Sequence, residues 1–559
     1  MRRRKLLHLL FASVFTFSGT LLSCGLPSSN LIDDKGGEIE PPPEDEKVIE
    51  PEEVDESNPY RVDEYSHLYD EMEVSELESQ YMDITYKDYS EYNVYGIRTT
   101  PAYGSPKFLV IPVWFTDSDS YILNRDEVRD DIETSFFGSE EETGWESVST
   151  YYKKDSFNHV DIQGSVLDWY ECGKASSTYY NDQSQTTSLF RSAYNHAYNS
   201  GVNLKDYDSD RDGFLDGLII IYGAPDMYHL SGEVSNMWAY TTGLQTTKNL
   251  NKPNVAMIFW ASYDFMYSNG NDAFSHTGLS KAGTGDTSHC NLDAHTYIHE
   301  TGHMFGLDDY YDYSHLNNPG LSFSMQDYAI GGHDPFSRLA LGWSKAYVPT
   351  TTSKITITPT ELGGDLILLS ANNDSYNNSA FNEYILLEFY SPLGLNRFDV
   401  VNQYSNSERG PNTYGIRMWH VDARIVTFTG SRARETNNIQ FGNILLGNTN
   451  STYVSGSNRA VNYLGSYDYN TLEVIRRGAG LYDKYGYPLP GDNRSSYLVD
   501  KDLFVTGDYF TTHNYRAQFV NGDELNSNKK LYWGIYFDEV TSENATITLV
   551  KQKASSVTE

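Results

Sequence analysis

Basic residues are scarce in this chain: 41 Lys and Arg stand against 77 Asp and Glu, a formal net charge of −36 over 559 residues. That balance excludes nucleic acid binding by bulk electrostatics, which needs a basic face. It leaves a self-repelling, soluble surface, or carboxylates that can hold Ca²⁺ where the ion is plentiful. Cysteine is scarcer still. Cys24, Cys172 and Cys290 are the only three, too few for a disulfide-built scaffold. Cys172 and Cys290 remain open as one bridge or as two thiols. Apolar runs are short: after Leu6–Leu22, no segment approaches the roughly 20 apolar residues of a membrane span. Other chemistry is missing as well. The chain holds no G-x-S-x-G elbow, no G-x-x-x-x-G-K-[ST] loop, no C-x-x-C pair and no repeat at a solenoid period.

What is present begins with an address. Met1-Arg2-Arg3-Arg4-Lys5 precedes the apolar run, which ends in Leu21-Leu22-Ser23-Cys24-Gly25. A basic start, an apolar middle and small residues at the exit make an export signal. The ending resembles the bacterial lipoprotein box. It implies a signal peptide over residues 1–24, lipid on Cys24, and a protein held to the extracellular face of a cell membrane. Residues 25–60 carry twelve acidic and two basic residues among prolines. They have little to bury and read as an extended stalk. Residues 61–104 are polar with scattered Tyr and Met, and read as an N-terminal segment or a pro-region.

The length suggests two to four domains. Lys107–Phe115, Leu218–Tyr222 and Val255–Trp260 read as buried strands, and His159–Gly164 alternates like another. Ser147–Tyr152 and Ser188–Asn199 have helical spacing. A helix over Asp293–Phe305 should stop at Gly306, and Asp334 with Pro335 should open a short helix to Leu341. After Trp343 short β-rich runs take over, such as Lys354–Thr358 and Ala545–Val550. The expected architecture is an α+β domain over 105–348, with a mixed sheet and a helix over Asp293–Phe305. An all-β, sandwich-like domain follows over 349–559.

The strongest signal is His299-Glu300-Thr301-Gly302-His303. On a helix, residues i and i+4 share a face, so two imidazoles can hold one Zn²⁺. Glu300 then projects beside the metal, where it can take a proton from water. The run continues to Asp309 as H-E-x-x-H-x-x-G-x-x-D. Gly306 permits a sharp turn that returns Asp309 towards the metal as third ligand. Asp308 competes for this role, and the spacing favours Asp309. Met325 reads as a Met-turn residue under the imidazoles, or as ordinary core. Tyr328 reads as an oxyanion donor, or as a structural tyrosine. His295 shares the helical face and is expected to pack or support; His315, His333 and His420 are expected to be structural or superficial.

Asp208-Ser209-Asp210-Arg211-Asp212-Gly213-Phe214-Leu215-Asp216 places carboxylates at loop positions 1, 3, 5 and 9 with Gly at 6. These are the oxygen positions of an EF-hand loop, but position 12 is Ile219, so a complete EF-hand is excluded. The expectation is a structural Ca²⁺ held by Asp208, Asp210, Asp212 and Asp216, with Asp206 near enough to add to it.

At these residues the chain resembles the immune inhibitor A family of secreted bacterial metallopeptidases. The likeness also rests on Phe108–Val113, Ser147–Tyr152 with Asp155-Ser156-Phe157, the Asp-rich loop, and Met325 with Asp334–Trp343. It covers roughly residues 105 to 345. Gly415–Asp422 resembles a strand motif of that family's β-rich part. Members often read Gly-Leu-Pro-Asp where this chain has Gly306-Leu307-Asp308-Asp309, a change that leaves the inferred ligand in place. The resemblance implies a zinc endopeptidase with calcium-stabilised structure, and does not fix the substrate; protein or peptide substrates and a monomeric state are expected. The rival expectation is a surface adhesin that retains a peptidase fold; the intact Glu300 argues against it.

Overall fold

The computed structural model describes residues 75–76, 81–82 and 100–552, the latter interrupted at 144, 228–229, 231–233, 245, 268–291, 312–319, 372–378, 402–408, 430–431, 436–442, 446–469 and 478–497. The expected signal peptide with Cys24, the stalk, most of 61–104, Cys290 with its pairing, and His315 lie outside the described residues. Among the described residues the fold is mixed α/β, with several sheets and few helices, and no helix is long and apolar enough to cross a membrane.

A first sheet is built from β1 (Lys107–Trp114), β2 (Gln163–Val166), β3 (Gly217–Tyr222), β4 (Tyr240–Gly243) and β5 (Met257–Ser262), in spatial order β2-β1-β3-β5-β4. The first four in that order run parallel; β4 pairs antiparallel and ends the sheet. Parallel strands buried on both faces read as unbroken apolar runs, and KFLVIPVW, GLIIIY and MIFWAS do so. Successive side chains alternate between faces. Phe108, Val110, Ile219 and Ile221 join one core cluster. Leu109, Ile111, Leu218 and Ile220 join another. The second face is covered by α3 (Gln183–Asn199) through Leu189, Phe190, Ala193 and Ala197.

The first face is covered by α1 (Arg125–Phe137), α2 (Val148–Asp155) and α4 (His295–Met304). Helix α2 opens on a capping box at Ser147 and Thr150. Helix α1 was not legible in the sequence. It is strongly acidic, and only Val128, Ile132, Ser135 and Phe136 are buried. Its local signal was Asn124, whose side chain caps the Glu127 N–H. The expected strand over His159–Gly164 is displaced to β2. Phe157 and Asn158 stand at φ 52° and 66°, so the residues after them complete a chain reversal before extended pairing begins. Helix α4 starts at His295, two residues later than expected, and α5 (Pro335–Ala340) has Asp334 as its N-cap.

Beyond Trp343, besides a small three-stranded sheet of Ile425–Thr429, Arg432–Glu435 and Asn443–Leu445, the chain forms two larger sheets. One contains β6 (Ala346–Tyr347), β8 (Leu366–Leu369), β9 (Glu383–Tyr390), β10 (Gly415–Asp422) and β11 (Leu472–Ile475). The other contains β7 (Ser353–Ile357), β12 (Tyr509–Phe510), β13 (Trp533–Val540) and β14 (Ala545–Lys551). Each receives a short strand from before the first sheet: Ser75–Glu76 pairs with β7 and Tyr81–Met82 with β6. Ile385, Leu387 and Phe389 of β9 share a core with Ile355, Ile535 and Ile547, so the two sheets face each other. Tyr384, Leu386 and Tyr390 point the other way, into the core that also holds Tyr297 and Ile298 of α4. The sheet of β8–β11 is thus buried on both faces, with the core that holds α4 on one and the outer sheet on the other.

Candidate metal centre

Helix α4 is buried along most of its length. Tyr297 anchors it to the first sheet by donating its hydroxyl to Ser262 O at 2.8 Å, and Tyr152 of α2 donates to Ile298 O at 2.7 Å. Thr241 of β4 donates its hydroxyl to the Glu300 carbonyl at 2.9 Å. With three anchors, the histidines are aimed by a helix that cannot roll.

The helix ends at a Schellman turn. Gly306 stands at φ 96°, its N–H donates to His303 O at 3.0 Å, and Leu307 N–H donates to Gly302 O at 3.1 Å. The reversed chain returns to the helix face. Asp309 Oδ1 lies 3.1 Å from His299 Nε2 and 3.3 Å from His303 Nε2. One ligand atom from each of these residues falls within 4.8 Å of the others; Asp308 is not part of the group. The structure therefore brings Asp309, rather than Asp308, to the imidazoles.

Whether zinc fits can be judged from the proton positions. His299 Nδ1 lies 2.8 Å from Met325 O, and His303 Nδ1 lies 2.8 Å from Leu307 O. A carbonyl can only accept, so each Nδ1 carries the proton and each Nε2 turns a lone pair inward. Two nitrogen lone pairs and a carboxylate oxygen then converge in a buried space, an arrangement that can hold a cation. The chain alone can supply only protons. Burial opposes a charge on His303, yet Asp309 overrides it and pushes the imidazole up to about 9. Zinc bonds of about 2.0–2.2 Å at tetrahedral angles place neighbouring ligand atoms roughly 3.3 Å apart, which matches the two spacings to Asp309. The residues present fit zinc.

Glu300 is buried beside them, and its Oε2 has no hydrogen-bond partner. Burial raises its pKa, while the nearby His303 and His299 act to lower it. A buried carboxylate oxygen without a donor is poised to accept a proton.

Other residues singled out from the sequence settle as follows. Met325 contributes its carbonyl to His299, while its side chain is wholly buried in the main core. The Tyr328 ring stacks on Tyr311 with centroids 5.0 Å apart. His295 packs against Trp145 and places Nε2 3.0 Å from Ala329 O; burial, then His299, pulls its pKa down to about 3. His420 is buried and bonds Glu383 at 3.0 Å. Cys172 is half-buried and unbridged among the described residues.

In the Asp-rich loop, oxygens of Asp208, Asp210 and Asp212 gather within 4.8 Å of one another. Backbone N–H groups hold them: Asp212 and Gly213 donate to Asp208, Asp212 also to Asp210, and Phe214 to Asp212. Gly213 at φ 93° makes the sharp turn. Asp216 stands outside this group. Its carboxylate takes the N–H of Ser209 and, at 2.7 Å, that of Lys107 at the start of β1. Burial pushes it up to about 7. It fastens the loop to the first sheet. Asp206 is bonded to Asn203 at 2.9 Å.

Sequence reasoning missed a buried polar group behind His303. Gln326 lies between His303 and His333, at 3.3 Å and 3.2 Å. His333 Nδ1 is 2.7 Å from Asp155, which also binds Arg338 at 2.7 Å; Arg338 reaches Glu361 at 2.6 Å. The one local hint was the glycine inside the H-E-x-x-H run, since a Cβ on Gly302 would stand 2.2 Å from a terminal atom of the Gln326 amide. Burial opposes charge on Asp155, but Arg338 and His333 outweigh it and hold the carboxyl well below the usual range. Its contribution to stability is therefore complete above the ordinary carboxylate pKa of about 3.9 and fades as pH falls through the lower folded-state value. Asp155→Asn leaves Arg338 buried with one partner fewer and is expected to cost about 3–5 kcal/mol in urea unfolding at neutral pH. The deficit should shrink in acid.

Comparison with known proteins adds no family. No protein-family model matches the chain, and no curated protein does. Among solved structures, wild-type OgpA from Akkermansia muciniphila is similar at 11% identity and a TM-score of 0.23, over 58% of this chain and 91% of that one. A likeness this loose carries no argument, and the reading of the site rests on its own geometry.

Proposed function

We propose that this protein is a zinc-dependent endopeptidase with a metzincin-like catalytic domain, anchored by lipid on Cys24 at the outer face of a bacterial membrane and cutting extracellular proteins. The convergence of His299, His303 and Asp309 next to an unpartnered Glu300 oxygen carries the reading. When bound, zinc would supply Lewis acidity, polarising a scissile carbonyl and making water acidic enough to react near neutral pH. His299 and His303 would hold the ion, each kept in the required tautomer by the carbonyl behind it. Glu300 would take the proton from the attacking water and pass it to the leaving amine. β4 is the last strand of its sheet and is tied to Glu300 through Thr241. An extended substrate could add to its outer edge by main-chain hydrogen bonds. The test is incubation of the purified chain with a mixed peptide library, read by mass spectrometry. Cleavage that a zinc chelator abolishes and added zinc restores supports the reading; chelator-resistant cleavage, or none, sinks it.

The Asp208–Asp212 loop is proposed to hold a structural Ca²⁺. Calcium at 100 times its dissociation constant would add about 2.7 kcal/mol to stability. The expected result is a calcium-dependent rise in melting temperature that Asp210→Ala removes; identical melting with calcium and with a calcium-selective chelator would count against it.

A further inference from the structure

Gln326 and His333 belong to neither the ligand set nor the reacting group, yet both are buried behind one ligand. Gln326 is wholly buried, its amide lies 3.3 Å from His303 Nδ1, and the same amide lies 3.2 Å from His333 Nε2. Proton bookkeeping orients it. The amide nitrogen stands towards His303 Nδ1 and the oxygen towards His333 Nε2; because His303 Nδ1–H points to Leu307 O, exchanging the two amide atoms, which puts the oxygen on the His303 side, is what gives each donor an acceptor. The amide NH₂ then donates to His333 Nε2, whose Nδ1–H donates to Asp155 Oδ2 at 2.7 Å. Asp155 is fixed in turn by two guanidinium contacts from Arg338, at 2.7 Å and 3.1 Å, and Arg338 by Glu361 at 2.6 Å. Every link has one donor and one acceptor.

The line crosses the molecule. Asp155 ends α2, His333 and Arg338 flank the cap of α5, and Glu361 lies between β7 and β8 of the β-rich half. Gly302 makes it possible, because any Cβ there would stand 2.2 Å from a terminal atom of the Gln326 amide and 2.6 Å from its carbon. We propose that Gln326 and His333 form a positioning relay, anchored on Asp155, Arg338 and Glu361, that fixes the rotation and tautomer of His303 for metal binding. This rests on the zinc reading above.

Outer partners of ligating histidines are worth roughly 10–100-fold in metal affinity. Zinc affinity of the full chain, measured by competition with a chromophoric chelator, tests the relay without recourse to turnover. Gln326→Met keeps the volume and removes both hydrogen bonds; it should weaken zinc by about tenfold or more while the zinc-free melting temperature changes little. Gln326→Glu restores an acceptor for His303 and should recover most of the affinity. If Gln326→Met fails to fold, Gly302→Ala decides, since it expels the amide while favouring the helix, and should weaken zinc in a folded protein. Tight wild-type binding that Gln326→Met and Gly302→Ala leave unchanged overturns the relay alone. A wild-type chain that takes up no zinc overturns the metal-centre reading, and the relay with it.

Discussion

Glu300→Gln is expected to retain one zinc per chain and to lose peptide cleavage by about 10²–10⁴-fold, the usual contribution of a positioned general base. The substitution is nearly isosteric, and Oε2 has no hydrogen-bond partner to lose. The three ligand side chains are untouched. A neutral amide cannot take a proton from water, so the deficit should fall on kcat rather than on KM. Elemental analysis establishes the metal content, and cleavage of a fluorogenic peptide establishes the rate. Wild-type turnover in a fully loaded variant would remove Glu300 from the mechanism.

The second large effect separates two adjacent acids. Asp309→Ala deletes the oxygen that stands 3.1 Å and 3.3 Å from the two imidazoles. Zinc should be lost by more than the roughly 10–100-fold typical of an outer partner, and cleavage with it. Asp308 is also buried but lies outside the converging group, so Asp308→Ala should leave the zinc stoichiometry intact. Equilibrium dialysis against a graded zinc buffer distinguishes the two. Zinc retained by Asp309→Ala and lost by Asp308→Ala would reverse the assignment and the turn geometry behind it.

Much of the candidate site was written locally. The i, i+4 spacing of His299 and His303 and the glycine turn at 306 are short-range rules, and the structure places Asp309 where those rules put it. The same holds for the parallel strands β1, β3 and β5, whose apolar runs leave no other economical reading. What escaped was held together at long range. Gln326, His333 and Asp155 meet through contacts that span from 7 to 178 positions in sequence, and nothing local marks a glutamine as a partner of a histidine. Asp216 shows the opposite failure. Its loop position suggested a cation ligand, but the fold turns its carboxylate onto the N–H of Lys107, a residue more than a hundred positions earlier. Helix α1 was obscured because its acidic exposed face outnumbers the few side chains it buries.

The sheet of β8–β11 has no wet side. Strand β9 sends Tyr384 and Leu386 into the core beneath the histidine-bearing helix, and sends Ile385 and Leu387 towards the outer layer. Shearing the β-rich half away would strip a greasy wall from the half that carries α4 and expose both surfaces together, so neither piece is expected to survive alone as a well-behaved fragment. Heat or denaturant should take the two halves apart in a single concerted event. The layer that holds none of the converging residues would thereby set how long the candidate site endures.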